Sequence, residues 1–269
     1  MLGKLIKHEI RATARTFLPM YGAILVLSVI NRLLMAIEAV NSLMNIFSVL
    51  MTVLYGLFIV IAFVLTVTVM IQRFYRNLLG DEGYLMFTLP VRPWAHIVAK
   101  GITSIIWLFL TAVATYLSAC ILSIGTGAQM INTGFFSDLG RALDRFGAEY
   151  GVHGGWLMAE GILGVLLALV LFILLIYASI AIGHLFRSHR VLASVGAYLV
   201  ISFMLQMLLA VCMISGVEYD STFVDWTAQQ SMQFVGFFAL PVVLCVEIAL
   251  SAIFFIITNH IYKIRPNLE

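Results

Sequence analysis

A chain of 269 residues in which 62% are hydrophobic and only 10% charged is no ordinary soluble domain, which carries about a quarter charged residues. Its mean hydropathy of +1.07 marks an integral membrane protein, and a net charge of +2 is too small to suggest a nucleic-acid partner. Cys120, Cys212 and Cys245 all sit inside apolar runs, which argues against a disulfide framework or a thiolate metal site.

Residues 2–17 read as an amphipathic helix. Leu2, Leu5, Ile6, Ile10, Thr13 and Phe17 fall on one stripe; Lys4, Lys7, His8, Arg11 and Arg15 fall on the other. Charge running through Arg15 with no small-residue cleavage pattern after it is not the layout of a cleavable signal. Such a helix is expected along the inner leaflet, its basic face toward anionic lipid head groups, as an anchor or as a lever pushed by a cytosolic partner.

Six segments reach the roughly 20 apolar residues that a spanning helix needs: about 18–40, 46–71, 98–124, 157–182, 191–214 and 234–258. An all-α, polytopic fold with six transmembrane helices follows. An even number of spans puts both termini on one side, and the cations choose it. Of the 15 Lys and Arg residues, all but Arg32, Arg141 and Arg145 cluster in the N-terminal segment, the loops after spans two and four, and the tail. The positive-inside rule then makes both termini cytoplasmic.

In span one, Asn31 and Arg32 are expected to snorkel to the outer interface. In span three, Ser104, Thr111, Thr115 and Ser118 share a face at helical spacing, suited to close helix approach or to lining a path. The outward segment 125–156 holds a second stripe, Phe136, Leu139, Leu143, Phe146 and Tyr150, with Ser137 or Asp138 as N-cap, and predicts a short interfacial helix. His184 and His189 are too far apart for one helix turn to bring them to a metal, and beside Arg187 and Arg190 they read as headgroup-facing polar residues. Gln206 in span five is a plausible partner for Glu247 in span six, where an unpaired carboxylate costs on the order of 2.5–3.5 kcal/mol. Pro241, earlier in that span, permits a kink beside it. Trp226 and Tyr219, in the second outward loop, suit the headgroup belt.

No phosphate loop, metal-binding HExxH helix or GxSxG elbow occurs, so neither catalysis nor ATP binding is expected of this polypeptide. The distinctive wording is "LLGDEGYLMFTLPVRP", residues 78–93, within a cytoplasmic loop over 72–97. Gly80 suits a helix stop, Asp81 and Glu82 a new N-terminus, and Pro90 forces Leu89 out of helical geometry. Between them Gly83, Tyr84, Leu85, Met86, Phe87 and Thr88 form a compact knob, acidic at its end and aromatic on its side. It either tucks against the bilayer or docks in a groove of a cytosolic protein.

An amphipathic N-terminal helix, six spans with both ends inside, and "RFYRNLLGDEGYLMFTLPV" between spans two and three resemble the bacterial type-2 ABC export permeases. The layout is similar over the whole chain, the wording over residues 73–93. The resemblance implies one transmembrane domain over 1–269, a bacterial cytoplasmic membrane, and cytosolic ATPase subunits that bind ATP and Mg. It also implies a second permease copy or paralogue, and an exported substrate passing between the two. By it, Asp81 through Pro90 correspond to the coupling helix and residues 2–17 to the connecting helix. "VRPW" after the knob departs from the family pattern, and no substrate signature is present. Glu247, Gln206, Thr111, Thr115, Ser118 and Pro241 are the candidates for a substrate path or subunit interface. Two other classes stay open: a membrane sensor or immunity scaffold that docks a partner without transport, and an ion-coupled carrier using Glu247.

Overall fold

The structure, a computed structural model, describes residues 2–38, 45–75, 93–124, 135–151, 154–186, 189–220 and 235–264. Apart from turn residues at Ile124, Gly151, His184, Leu185, Phe186 and His189 these are helical, with no strand among the described residues: α1 (Leu2–Glu38), α2 (Asn45–Phe74), α3 (Pro93–Ser123), α4 (Phe135–Tyr150), α5 (Gly154–Gly183), α6 (Arg190–Asp220) and α7 (Leu240–Ile264). Six of them, all but α4, are long and apolar enough to cross a membrane. The chain is thus a multi-pass membrane protein by its helices, and the described residues divide into two compact units, α1–α3 and α4–α7.

In the first unit α1 runs unbroken for 37 residues, about 55 Å at 1.5 Å per residue. The amphipathic stripe and the first span are therefore one helix, not two elements joined at a bend. Its sides sort as the stripe predicts: Thr13 and Phe17 are buried, while Lys4, Lys7, His8, Arg11 and Arg15 are exposed. Pro19 lies inside this helix and is exposed. A proline there removes one ladder bond and crowds the carbonyl of Arg15. The helix continues through it, packed on the other side: Phe17 stacks on Trp107 of α3 with ring centroids 4.5 Å apart, and Tyr21, two residues past the proline, stacks on Phe17.

The buried side of α1 continues through Ile24, Ser28 and Asn31. Asn31 is 1% exposed and accepts a hydrogen bond from Thr52 Oγ1 of α2 at 3.3 Å, so it faces the helix interface and not the membrane surface. A buried amide finds its partner on a neighbouring helix more cheaply than by crossing lipid. Arg32, one residue on, is only half-buried.

In the second unit α5 packs on both α6 and α7, around a core of Leu175, Ala178 and Phe254 supported by Tyr198, Ile201 and Leu250. Gly183 ends α5 against the backbone of Ser194 in α6, so closely that a side chain there would enter the Ser194 main chain. The short helix expected on 125–156 is α4. Asp138 lies in its first turn and pairs with Arg141, and Gly151 closes it with φ of 68°, its N–H donating to Gly147 O at 2.9 Å. This is the left-handed stop that glycine adopts without a Cβ penalty. The side chains of Ser137, Phe136, Leu139, Phe146 and Tyr150 lie outside the described residues, as do Trp226 and the side chain of Tyr219.

A π-turn over Val235–Ala239 leads into α7. Pro241, with no N–H and a ring that would press on the carbonyl of Phe237, is the physical reason for that wider turn.

Candidate functional site

The chemistry of the first unit concentrates on one face of α1. Glu9, Thr13, Phe17 and Tyr21 recur every fourth residue, which brings them to one side of a helix, and that side meets α3. Lys100 of α3 donates through Nζ to Glu9 Oε1 at 2.8 Å. Arg73, near the end of α2, donates through one nitrogen to Glu9 Oε2 at 3.0 Å and to the Glu9 carbonyl at 3.3 Å. One carboxylate thus joins three helices. The Lys100 side chain is 5% exposed and that of Glu9 14%, so the pair is far less screened than a surface ion pair.

One turn along, Trp107 Nε1 donates to Thr13 Oγ1 at 2.7 Å. Tyr21 donates to the Trp107 carbonyl at 3.1 Å and lies 2.9 Å from Thr111 Oγ1, which is 3.1 Å from Thr66 Oγ1 of α2. Further on, Tyr55 and Ser118 share a bond of 2.6 Å. Glu9 and Arg32 are 23 residues apart on α1, about 34 Å along the axis. That is close to the roughly 30 Å of a hydrocarbon core.

Of the residues singled out from sequence, Thr111 and Ser118 are fully buried, Ser104 is buried and Thr115 half-buried in the first unit. The hydroxyls of Thr111, Thr115 and Ser118 are spent on α1, α2 or the preceding turn of α3, which is the arrangement of a packing face. Lys4, Lys7, Arg11 and Arg15 line the exposed side of α1. Asp81, Glu82, Gly83, Tyr84, Leu85, Phe87, Thr88, Leu89 and Pro90 lie outside the described residues. What is described is their frame: α2 ends at Phe74 and α3 begins at Pro93, and Glu9 holds a residue near each of those two ends.

In the second unit Glu247 is half-buried on α7, and its Oε2 has no hydrogen-bond partner. Gln206 is exposed on α6 and does not pair with it. Pro241 is half-buried. Ser251, one turn beyond Glu247, is 8% exposed with an unpartnered Oγ. His184 is 6% exposed at the end of α5, not headgroup-facing. Burial, and then the charge of Arg190, lower its pKa to about 4, so its imidazole is neutral at physiological pH. His189 is exposed, and no group of His, Cys, Asp and Glu among the described residues has the arrangement to hold a metal ion.

Sequence reasoning passed over Glu9 and Glu160. Glu9 is the lone acid among the cations of the N-terminal segment, and that isolation was its signal. Glu160 is likewise the lone acid in the apolar run of α5, 6% exposed with an unpartnered Oε2. No family model, no curated protein and no solved structure matches this chain.

Proposed function

We propose that the chain is a permease subunit of an ATP-driven exporter in a bacterial cytoplasmic membrane. Both termini are cytoplasmic, and the chain forms a substrate path with a second permease copy or paralogue. Separate cytosolic ATPase subunits, which bind ATP and Mg, supply the energy. The observation that carries this reading is the frame of residues 76–92. The ends of α2 and α3 that bracket "DEGYLMFTLPV" are gathered by Glu9, and we read that region, with the exposed cations of α1 beside it, as one membrane border. The positive-inside rule supports calling that border cytoplasmic. A short aromatic, acid-tipped segment presented there between two fixed helix ends is a docking element for a motor, and Tyr84 and Phe87 are its anchors.

Co-purification with candidate ATPases tests it. Replacing Tyr84 and Phe87 by Ala is expected to abolish association and permease-stimulated ATP hydrolysis. Unchanged association together with unchanged hydrolysis refutes the reading.

A second reading, an ion-coupled carrier, draws support from the unpartnered carboxylate oxygens of Glu247 and Glu160, because ionisable groups within spans mark ion paths. It predicts transport without nucleotide, sensitive to Glu247→Gln.

A further inference from the structure

We propose that Glu9 is the positioning residue for the two helix ends that flank residues 76–92: its single carboxylate ties the end of α2 and the first turns of α3 to α1, so a displacement of either end is delivered to the first helix. This rests on the reading of the segment as a docking element, but the clamp itself is a property of the first unit.

The geometry divides the carboxylate between the flanks. Oε1 faces Lys100 at 2.8 Å and Oε2 faces Arg73 at 3.0 Å. Arg73 is two residues before the last described residue of its flank, and Lys100 lies two turns inside the other. Arg73 also grips the Glu9 main chain at 3.3 Å, which fixes its position along α1 as well as its distance from it. Above the clamp, α1 does not slide freely. Thr13 accepts from the Trp107 indole at 2.7 Å, and Phe17 stacks on the same ring. A push on either flank therefore meets a helix that is bonded one turn and two turns further on, and α1 moves with α3 as one piece. A carboxylate placed only to neutralise nearby cations has no need to take one on each oxygen from two different helices.

The test uses the full-length protein in lipid nanodiscs and reads amide hydrogen exchange. Glu9→Gln keeps the shape and removes the charge. It is expected to speed exchange about tenfold in both flanking windows, 70–75 and 97–101, because local opening follows the lost charge pairing. Exchange in 105–118 and in α5–α7 stays at the wild-type rate. Glu9→Asp, which keeps the charge, stays within about threefold of wild type in both windows. The proposal is overturned if Glu9→Gln loosens only one flank or neither. It is also overturned if Glu9→Gln speeds exchange throughout 93–123, the mark of general destabilisation, or if Glu9→Asp is as fast as Glu9→Gln. A second arm adds the ATPase: Glu9→Gln retains ATPase binding, because Tyr84 and Phe87 are intact, and loses most of the permease-stimulated hydrolysis. Normal stimulation in that variant overturns the coupling role. Failure of the wild-type protein to bind any ATPase removes the docking reading and leaves the exchange result to decide the clamp alone.

Discussion

Tyr21 of α1 and Thr111 of α3 meet hydroxyl to hydroxyl at 2.9 Å, and the same Thr111 oxygen lies 3.1 Å from Thr66 of α2. A single buried hydroxyl is the point where three membrane-crossing helices are hydrogen-bonded together. In lipid such bonds are strong glue because no water competes for the groups, although measured values average near 0.6 kcal/mol each.

Thr111→Val is accordingly expected to lower stability by about 0.5–1.5 kcal/mol, since it removes the hydroxyl that both helices share, while Tyr21 keeps the Trp107 carbonyl and Thr66 the Ala62 carbonyl as acceptors. Thr115→Val serves as the comparison, because Thr115 donates only to the Thr111 carbonyl one turn back at 2.9 Å and is expected to be near neutral. Thermal unfolding in nanodiscs checks both. Equal midpoints for the two variants would remove the hub, and loss of transport in Thr111→Val without loss of stability would make Thr111 a path residue.

The Trp107 indole is a stricter case. Its N–H is donated to Thr13 inside a 4% exposed side chain, and Thr13→Val leaves that donor without an acceptor at a cost of about 1–3 kcal/mol. Trp107→Phe removes the donor itself and keeps much of the stack, so placing it on Thr13→Val is expected to add little further loss. A double variant whose loss equals the sum of the two single losses would show that the bond contributes nothing.

The spans were readable because twenty apolar residues in a row leave only one architecture, and their observed bounds lie within a few residues of the expected ones at most ends. The continuity of α1 was not readable. Pro19 and the change from amphipathic to wholly apolar pattern suggest a joint, and only the stacking of Phe17 and Tyr21 around Trp107 on α3 explains why none forms. Asn31 pointed the other way for a similar reason. Polar residues near a span end usually reach for water, and whether a neighbouring helix offers Thr52 instead is a tertiary fact. Glu9 escaped because a lone acid in a basic stripe looks like a solubilising charge, and its partners are 64 and 91 residues away.

The turn between α5 and α6 yields a steric prediction. A Cβ on Gly183 would collide with the Ser194 backbone, so Gly183→Ala forces the helices apart and is expected to cost about 1–3 kcal/mol, the usual range for overpacking. At Gly56 on α2 nothing lies within 4 Å of the added atom. Gly56→Ala is expected to be neutral or to stabilise by up to about 1 kcal/mol through helix propensity. Denaturation midpoints that rank the two variants the other way round contradict this placement of α6 against α5.

His184, in the same turn, gives the pH dependence. Its folded pKa of about 4 lies below the ordinary histidine value of about 6.5. The unfolded chain therefore takes up a proton first as the pH falls. Stability is unaffected by this group above about pH 6.5 and declines from there toward pH 4. The unfolding midpoint measured at pH 7.5 and at pH 5 is expected to fall in the wild-type protein, and His184→Gln is expected to flatten that fall. A wild-type slope that His184→Gln leaves intact assigns the dependence to another group.

Glu247 separates structural from transport roles most directly. Its Oε2 is covered and unpartnered within the chain, and a charged carboxylate at that depth costs on the order of 2.5–3.5 kcal/mol. A residue kept only for packing would gain from losing its charge, so Glu247→Gln is expected to raise the unfolding midpoint while leaving nucleotide-driven transport unchanged. Lower stability in the assembled complex alone would show that the carboxylate is completed by a group from another subunit or by substrate. Loss of transport with the higher midpoint retained would move Glu247 from the helix interface to the ion path, and would favour the carrier over the exporter.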